Sequence, residues 1–209
     1  MNNERVTKIA RKWNGAGKAL NWSPDYSRLL IRVWRALAKG RPFSGEQIDQ
    51  IISDPGGGQD EAGGFLRGVT ERDSSDSIIG ILGLSLNNHP HRFTVNGASC
   101  TTRCAEDALF LPAMLDRTAT VESYSPVTAE KIRLTVGPER VEKVSPAGAV
   151  VSIVALDPCK VDTSSVEAIY GNFCEQIGWA AGKENIDIIS VEERCELGKL
   201  TFSEVLAYA

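Results

Sequence analysis

Five cysteines (Cys100, Cys104, Cys159, Cys174 and Cys195) are the residues of this 209-residue chain best suited to nucleophilic or soft-metal chemistry. An odd count leaves at least one thiol free. No apolar run follows the N-terminal charges, so no signal peptide, a cytoplasmic location and reduced thiols are expected. Cys104 and Asp107 stand three positions apart at the start of a helical pattern, which puts both side chains on one face. Thr101 or Thr102 can cap that helix, whose free N–H groups favour a thiolate; Glu106 and Asp107 oppose it, and the spacing leaves the winner open. An inert buried cysteine beside an ordinary first-turn acid is the alternative, and free cysteine is commonly buried.

Other chemistries are poorly supplied. The two histidines, His89 and His91, fall in one His-Pro-His stretch that reads as a polar turn, so a Ser-His-Asp or Cys-His machine is not expected. Cys100 and Cys104 lack the four closely spaced ligands of a structural zinc site. Gly56-Gly57-Gly58 follows a helix and lacks the Lys-Ser/Thr tail of a phosphate loop.

The elements that must position Cys104 follow from periodicity. Residues 1–24 read as a basic extension. Apolar spacing from Tyr26 to Lys39 predicts a helix ended by Gly40. Ser44 caps a second helix through Ile48, Ile51 and Ile52. A weaker third is expected over Asp60 to Glu71, then strands at Ile78 to Leu86 and Arg92 to Val95. Three helices and a hairpin make residues 25–97 a winged-helix-like unit. Its third helix is acidic and glycine-bearing, unsuited to phosphate and base contacts, so nucleic acid is not the expected partner. Residues 98–209 read as an α+β domain with an antiparallel or mixed sheet. It has a helix from Ala105 to Leu115 interrupted by Pro112, and strands at 118–123, 132–136, 140–145, 149–156 and 186–191. Helices are expected at 166–181 and 197–208.

Composition agrees with a globular protein: 42% of positions are apolar and 24% charged. The longest apolar stretch, Gly148 to Leu156, is too short to span a membrane. The net charge of −4 hides an asymmetry: residues 1–41 carry ten Lys/Arg against two acids, the remainder thirteen against twenty-five. A basic head of this kind binds nucleic acid or complements the acidic body.

The ordered motifs are more specific than any of these patterns. Cys104 to Ala113 reads Cys-Ala-Glu-Asp-Ala-Leu-Phe-Leu-Pro-Ala and resembles the Cys-Ala-x-Asp-(Thr/Ala)-Leu-(Ile/Phe)-(Phe/Leu)-Pro-Ala signature of the alkylmercury (organomercurial) lyase family. Arg117-Thr118-Ala119, Pro146-Ala147-Gly148 and Phe173-Cys174 are similar to further family segments in the same order. Upstream, the run from Leu37 to Pro42 and Ile78-Ile79-Gly80 resemble its helical head and wing. This chain departs from the family pattern at Arg103, where Trp is common, and at Glu106, usually apolar or aromatic. It also carries Glu175 where a cysteine often follows the second catalytic one, and Tyr170 where a basic residue is common.

The resemblance implies protonolysis of a carbon–mercury bond. Cys104 and Cys174 would be the catalytic thiolates that hold mercury, and Asp107 would carry the proton from thiol to carbon. Mercury is soft and prefers sulfur, and thiolate donors make the mercury-bound carbon basic. Asp107 would need a desolvated site that raises its pKa, with Leu109, Phe110 and Phe173 as walls. No organic cofactor is implied. The implied partners are an organomercurial small molecule and an external thiol such as glutathione or cysteine, or a mercuric reductase, to remove Hg(II). The winged-helix-like head would pack on the catalytic domain rather than read DNA. The alternatives are a divergent member acting on another soft-element or thiol substrate, and a thiol-based metal binder without turnover. A DNA-binding metal sensor is a third.

Overall fold

The computed structural model describes residues 24–53, 70–126, 128–154, 172–174 and 186–209. Helix α1 (Pro24–Leu37) buries Leu29, Leu30, Val33, Trp34 and Leu37 on one face, the stripe its spacing predicts. The chain reverses at Gly40, with φ +73°, and enters α2 (Gly45–Ser53). Ser44 caps α2 reciprocally with Gln47: the Ser44 N–H donates to Oε1 at 2.8 Å and the Gln47 N–H to Ser44 Oγ at 3.4 Å.

Eight strands then form one antiparallel sheet: β1 (Thr70–Arg72), β2 (Ile78–Ile81), β3 (Leu84–Ser85), β4 (His91–Val95), β5 (Ala98–Thr102), β6 (Ala119–Tyr124), β7 (Lys131–Val136) and β8 (Val141–Ser145). Their order is β1-β2-β3-β5-β4-β6-β7-β8. Position 97, the sequence division between head and catalytic part, lies in the Asn96-Gly97 turn between β4 and β5 of this sheet. A second sheet is ordered β10-β9-β11, with β9 (Val150–Val154) between β10 (Asn172–Cys174) and β11 (Ile186–Ser190), all antiparallel. Helix α3 (Ala105–Leu115) sits between β5 and β6 in the chain; α4 (Val191–Thr201) and α5 (Ser203–Leu206) close it. The architecture is α+β, as expected.

Alternation makes the core. Phe93 and Val95, Val121, and Ile132, Leu134 and Val136 point to one face and join the common core; α3 packs on β4 and β5, and α1 on β2 and β3. Trp34 packs tilted on Phe110, which stacks on Phe202, with ring centroids 5.8 and 4.2 Å apart. The Trp34 indole N–H donates to the Ile81 carbonyl at 3.2 Å, tying α1 to the sheet. Phe110, expected as a pocket wall, is therefore committed to the core. Part of the basic head also serves internally: Arg28 pairs with Asp25 and lies 4.9 Å over the Tyr208 ring, and Arg32 donates to the Ile51 carbonyl.

Several expectations need correction. The strand expected from Ile78 to Leu86 is two strands folded back at Leu82-Gly83, both at positive φ, because Gly83 permits a turn that alternation cannot reveal. Thr70 and Glu71 end no helix but belong to β1, paired with β2; residues 60–69 of that expected helix, with its acidic stretch, lie outside the described residues. Polar Ala98–Thr102 is strand β5, held between β3 and β4 by ladder bonds that need no apolar pattern. Asn172–Cys174 is strand rather than the middle of a helix, since its backbone pairs with Val150–Ser152; the rest of the span 166–181 lies outside the described residues. The closing helix starts at Val191 and breaks at Phe202. Pro112 does not end α3 at once; the helix continues to Leu115 and stops at Asp116 in the left-handed conformation. His91 is buried in β4 with Nδ1 2.7 Å from Ser123 Oγ, not exposed in a turn, and burial pushes it down to about 4.

Candidate active site

Cys104 is the N-cap of α3, with extended backbone (φ −131°, ψ 165°). Strand β5 delivers it there. Its carbonyl accepts from Thr102 Oγ1 at 3.1 Å, and the Arg103 N–H donates to the Gly83 carbonyl at 3.3 Å. Asp107, at the third helical position, reaches back, so that Oδ2 accepts the Cys104 backbone N–H at 3.2 Å and its thiol at 2.9 Å. The shared helical face inferred from the spacing is thus a direct contact between sulfur and carboxylate.

Burial decides the electrostatics. Cys104 is 2% exposed, and its thiol is pushed well above the usual range by burial and by the carboxylates of Asp107 and Glu106. Burial also raises Asp107, against the opposing hydrogen bonds from Cys104 and the charges of Arg194 and Arg103. The resting pair is a neutral thiol donating to a carboxylate that gains readily from protonation. The helix N-terminus does not win the contest left open by the spacing.

Gly83 makes room for this pair. A Cβ on it would lie 2.4 Å from Asp107 Cγ and 2.5 Å from Oδ1, so the β2–β3 turn can cover the carboxylate only without a side chain. Gly83→Ala is expected to lower turnover on the order of 100-fold by displacing Asp107. Gly97→Ala is its control: it imposes a comparable positive φ (+77°) with nothing within 4 Å. Equal activity of the two variants would remove the steric explanation.

Sequence reasoning placed a charge at Glu106 but missed its counterpart. Glu106 is buried and forms an ion pair with Arg194, also buried, on α4. Burial pushes Glu106 up to about 7, the Arg194 charge opposing it. No spacing signal links residues so far apart; a buried acid in the α3 pattern was the only clue that a cation had to exist. Arg194→Met leaves a buried carboxylate unpaired and is expected to cost about 3–5 kcal/mol, recovered when Glu106→Leu is added. Urea unfolding of the single and double variants measures both.

Cys174 closes β10, opposite Val150 of β9, which on its other side faces Ser190, the cap of α4. Its side chain lies outside the described residues, as do Cys159, Tyr170, Glu175 and the side chain of Phe173. Cys100 donates to the Leu37 carbonyl at 3.9 Å and Cys195 to that of Leu109 at 3.5 Å. Burial pushes both thiols up to about 11, and each donates to a main-chain carbonyl rather than to a carboxylate that could take its proton. Among the described residues no helix is long and apolar enough to cross a membrane.

A buried thiol and a carboxylate thus stand 2.9 Å apart at the start of one helix of an α+β scaffold. A family model described as alkylmercury lyase matches residues 84–203. An alkylmercury lyase of Streptomyces lividans is 35% identical over 205 residues, covering 93% of this chain and 89% of the relative. One of Pseudomonas putida is 32% identical over 198 residues, covering 89% and 88%. A crystal structure described as the mercury-bound form of MerB2 shares the fold, with a TM-score of 0.69 at 18% identity over 93% of this chain and 99% of that one. The chain belongs to the alkylmercury lyase family.

Proposed function

We propose that this chain is an organomercurial lyase, cleaving R–Hg–X to a hydrocarbon and Hg(II) held by sulfur. The observation that carries this reading is the 2.9 Å contact from the buried Cys104 thiol to Asp107 Oδ2. As Cys104 sulfur bonds to mercury and displaces X, its proton passes to Asp107, because a metal-bound thiol is deprotonated outright. Burial raises the Asp107 carboxyl, which favours the neutral acid and keeps the proton there. Cys174 supplies the second sulfur, and its proton leaves with X as HX. Two thiolate donors push electron density onto the metal-bound carbon. The carbon–mercury bond then breaks with its electron pair taking the proton of Asp107, R–H departs, and Hg²⁺ remains between two sulfurs. An external thiol, or a reductase acting as thiol acceptor, removes it.

Glu106 and Arg194 enter this reading as one neutral unit, so the family's departure at Glu106 adds no net charge to the site. The experiment is benzene release from phenylmercuric acetate by the pure protein in excess thiol. Hydrocarbon in proportion to enzyme and time is expected. Stoichiometric capture of mercury without hydrocarbon would favour the metal-binding alternative instead.

A further inference from the structure

Gly83 lies with bare backbone against the Asp107 carboxylate, so the β2–β3 turn must stay in place for that contact to last. Two features work against it. Leu82, the other residue of the turn, sits at φ +36°, a conformation that L side chains rarely adopt and that only surrounding contacts can enforce. Strand β3, which carries the turn back into the sheet, is two residues long.

Glu71 supplies the missing hold. Glu71, Gly80 and Ser85 pair in one row across β1, β2 and β3. A Cβ on Gly80 would stand 2.8 Å from both Glu71 Cδ and Ser85 Oγ, so the bare middle strand lets the Glu71 carboxylate cross it. Ser85 Oγ donates to Glu71 Oε2 at 2.8 Å, and His89 Nε2 lies 3.3 Å from the same oxygen. Oε1 accepts from Arg103 Nε and Nη2 at 2.9 and 2.6 Å. Arg103 then reaches the turn through its main chain, its N–H donating to the Gly83 carbonyl at 3.3 Å. The contacts run from Gly83 to Arg103, Glu71 and Ser85 and return to Gly83 along β3, a closed ring around one side of the turn. Burial would raise the Glu71 carboxyl, but the hydrogen bonds from Arg103, Ser85 and His89 hold it below its usual range, so the ring is charge-assisted. Arg103, a departure from the family pattern, has its side chain in this ring and not at the sulfur.

We propose that Glu71 is a positioning residue for the proton transfer: through Arg103 and Ser85 it clamps the Gly83 turn against Asp107 and so keeps that carboxyl on the Cys104 sulfur. The inference rests on the lyase reading above. In Glu71→Ala, capture of phenylmercury, read as loss of one titratable thiol, is expected at the wild-type level, while single-turnover benzene release slows about tenfold. Arg103→Met removes the same clamp from a side chain that is 39% exposed, and stands in should Glu71→Ala not fold. Because the clamp acts through the turn, adding Glu71→Ala to Gly83→Ala is expected to slow release by no more than about twofold further. Asp76→Asn is the control. It removes the charge paired with Arg72 at the other end of the β1–β2 hairpin, Asn tolerates the φ of +61° there, and release is expected to stay unchanged. Wild-type release in the folded Glu71 or Arg103 variant, a matching loss of capture, equal slowing by Asp76→Asn, or a further tenfold loss on top of Gly83→Ala each overturns the clamp. A wild-type protein that releases no benzene defeats the lyase reading instead. The clamp is then judged by hydrogen exchange at the Arg103 amide: exchange about tenfold faster in Glu71→Ala supports it, and unchanged exchange overturns it.

Discussion

Asp107→Asn is expected to capture phenylmercury through Cys104 yet release benzene about 10²–10⁴-fold more slowly, the usual worth of a positioned general acid. The amide is isosteric, and its oxygen can still accept the Cys104 N–H that Oδ2 accepts now, so the cap of α3 survives. What it cannot do is take the thiol proton when sulfur binds mercury, nor return one to carbon. Single-turnover measurements separate the two events: loss of one titratable thiol reports capture, and benzene reports cleavage. Capture at the wild-type level with slow release is the expected signature. Undiminished release would remove Asp107 from the proton path and leave its 2.9 Å contact with the thiol as a helix cap only.

Cys104→Ser and Cys174→Ser are each expected to reduce hydrocarbon release to the uncatalysed background. A hydroxyl is a poor ligand for a soft metal, and one sulfur leaves the carbon too weakly basic to take the proton. The two losses should differ in kind. Without Cys104 there is no thiol beside Asp107 and capture itself fails; without Cys174, phenylmercury is still bound and its cleavage stalls. Cys159→Ser and Cys195→Ser serve as controls. Cys195 is buried with its sulfur directed at the Leu109 carbonyl, so its loss is expected to show in unfolding rather than in turnover. Activity that persists in the Cys174 variant would reject this pairing of sulfurs.

The sequence contained the local half of this protein. The apolar stripe of α1, the reciprocal cap at Ser44, the strands at β6, β7, β9 and β11 and the Cys104–Asp107 spacing are short-range patterns, and short-range patterns survive without a partner. It misjudged elements whose state depends on neighbours: β5 is polar and became strand through its ladders, and β10 became strand by pairing with β9. Tertiary structure alone decided the character of the site. The helix N-terminus favoured a thiolate at Cys104, and burial with two carboxylates reversed that. The charge at Glu106, a departure from the family pattern, finds its partner in Arg194 on a helix near the other end of the chain. Room for Asp107 came from a glycine in a turn that the strand pattern concealed. Residue types and spacings encode which groups are available, whereas proton affinity depends on dielectric and on charges a few ångströms away, and those exist only after the chain has packed.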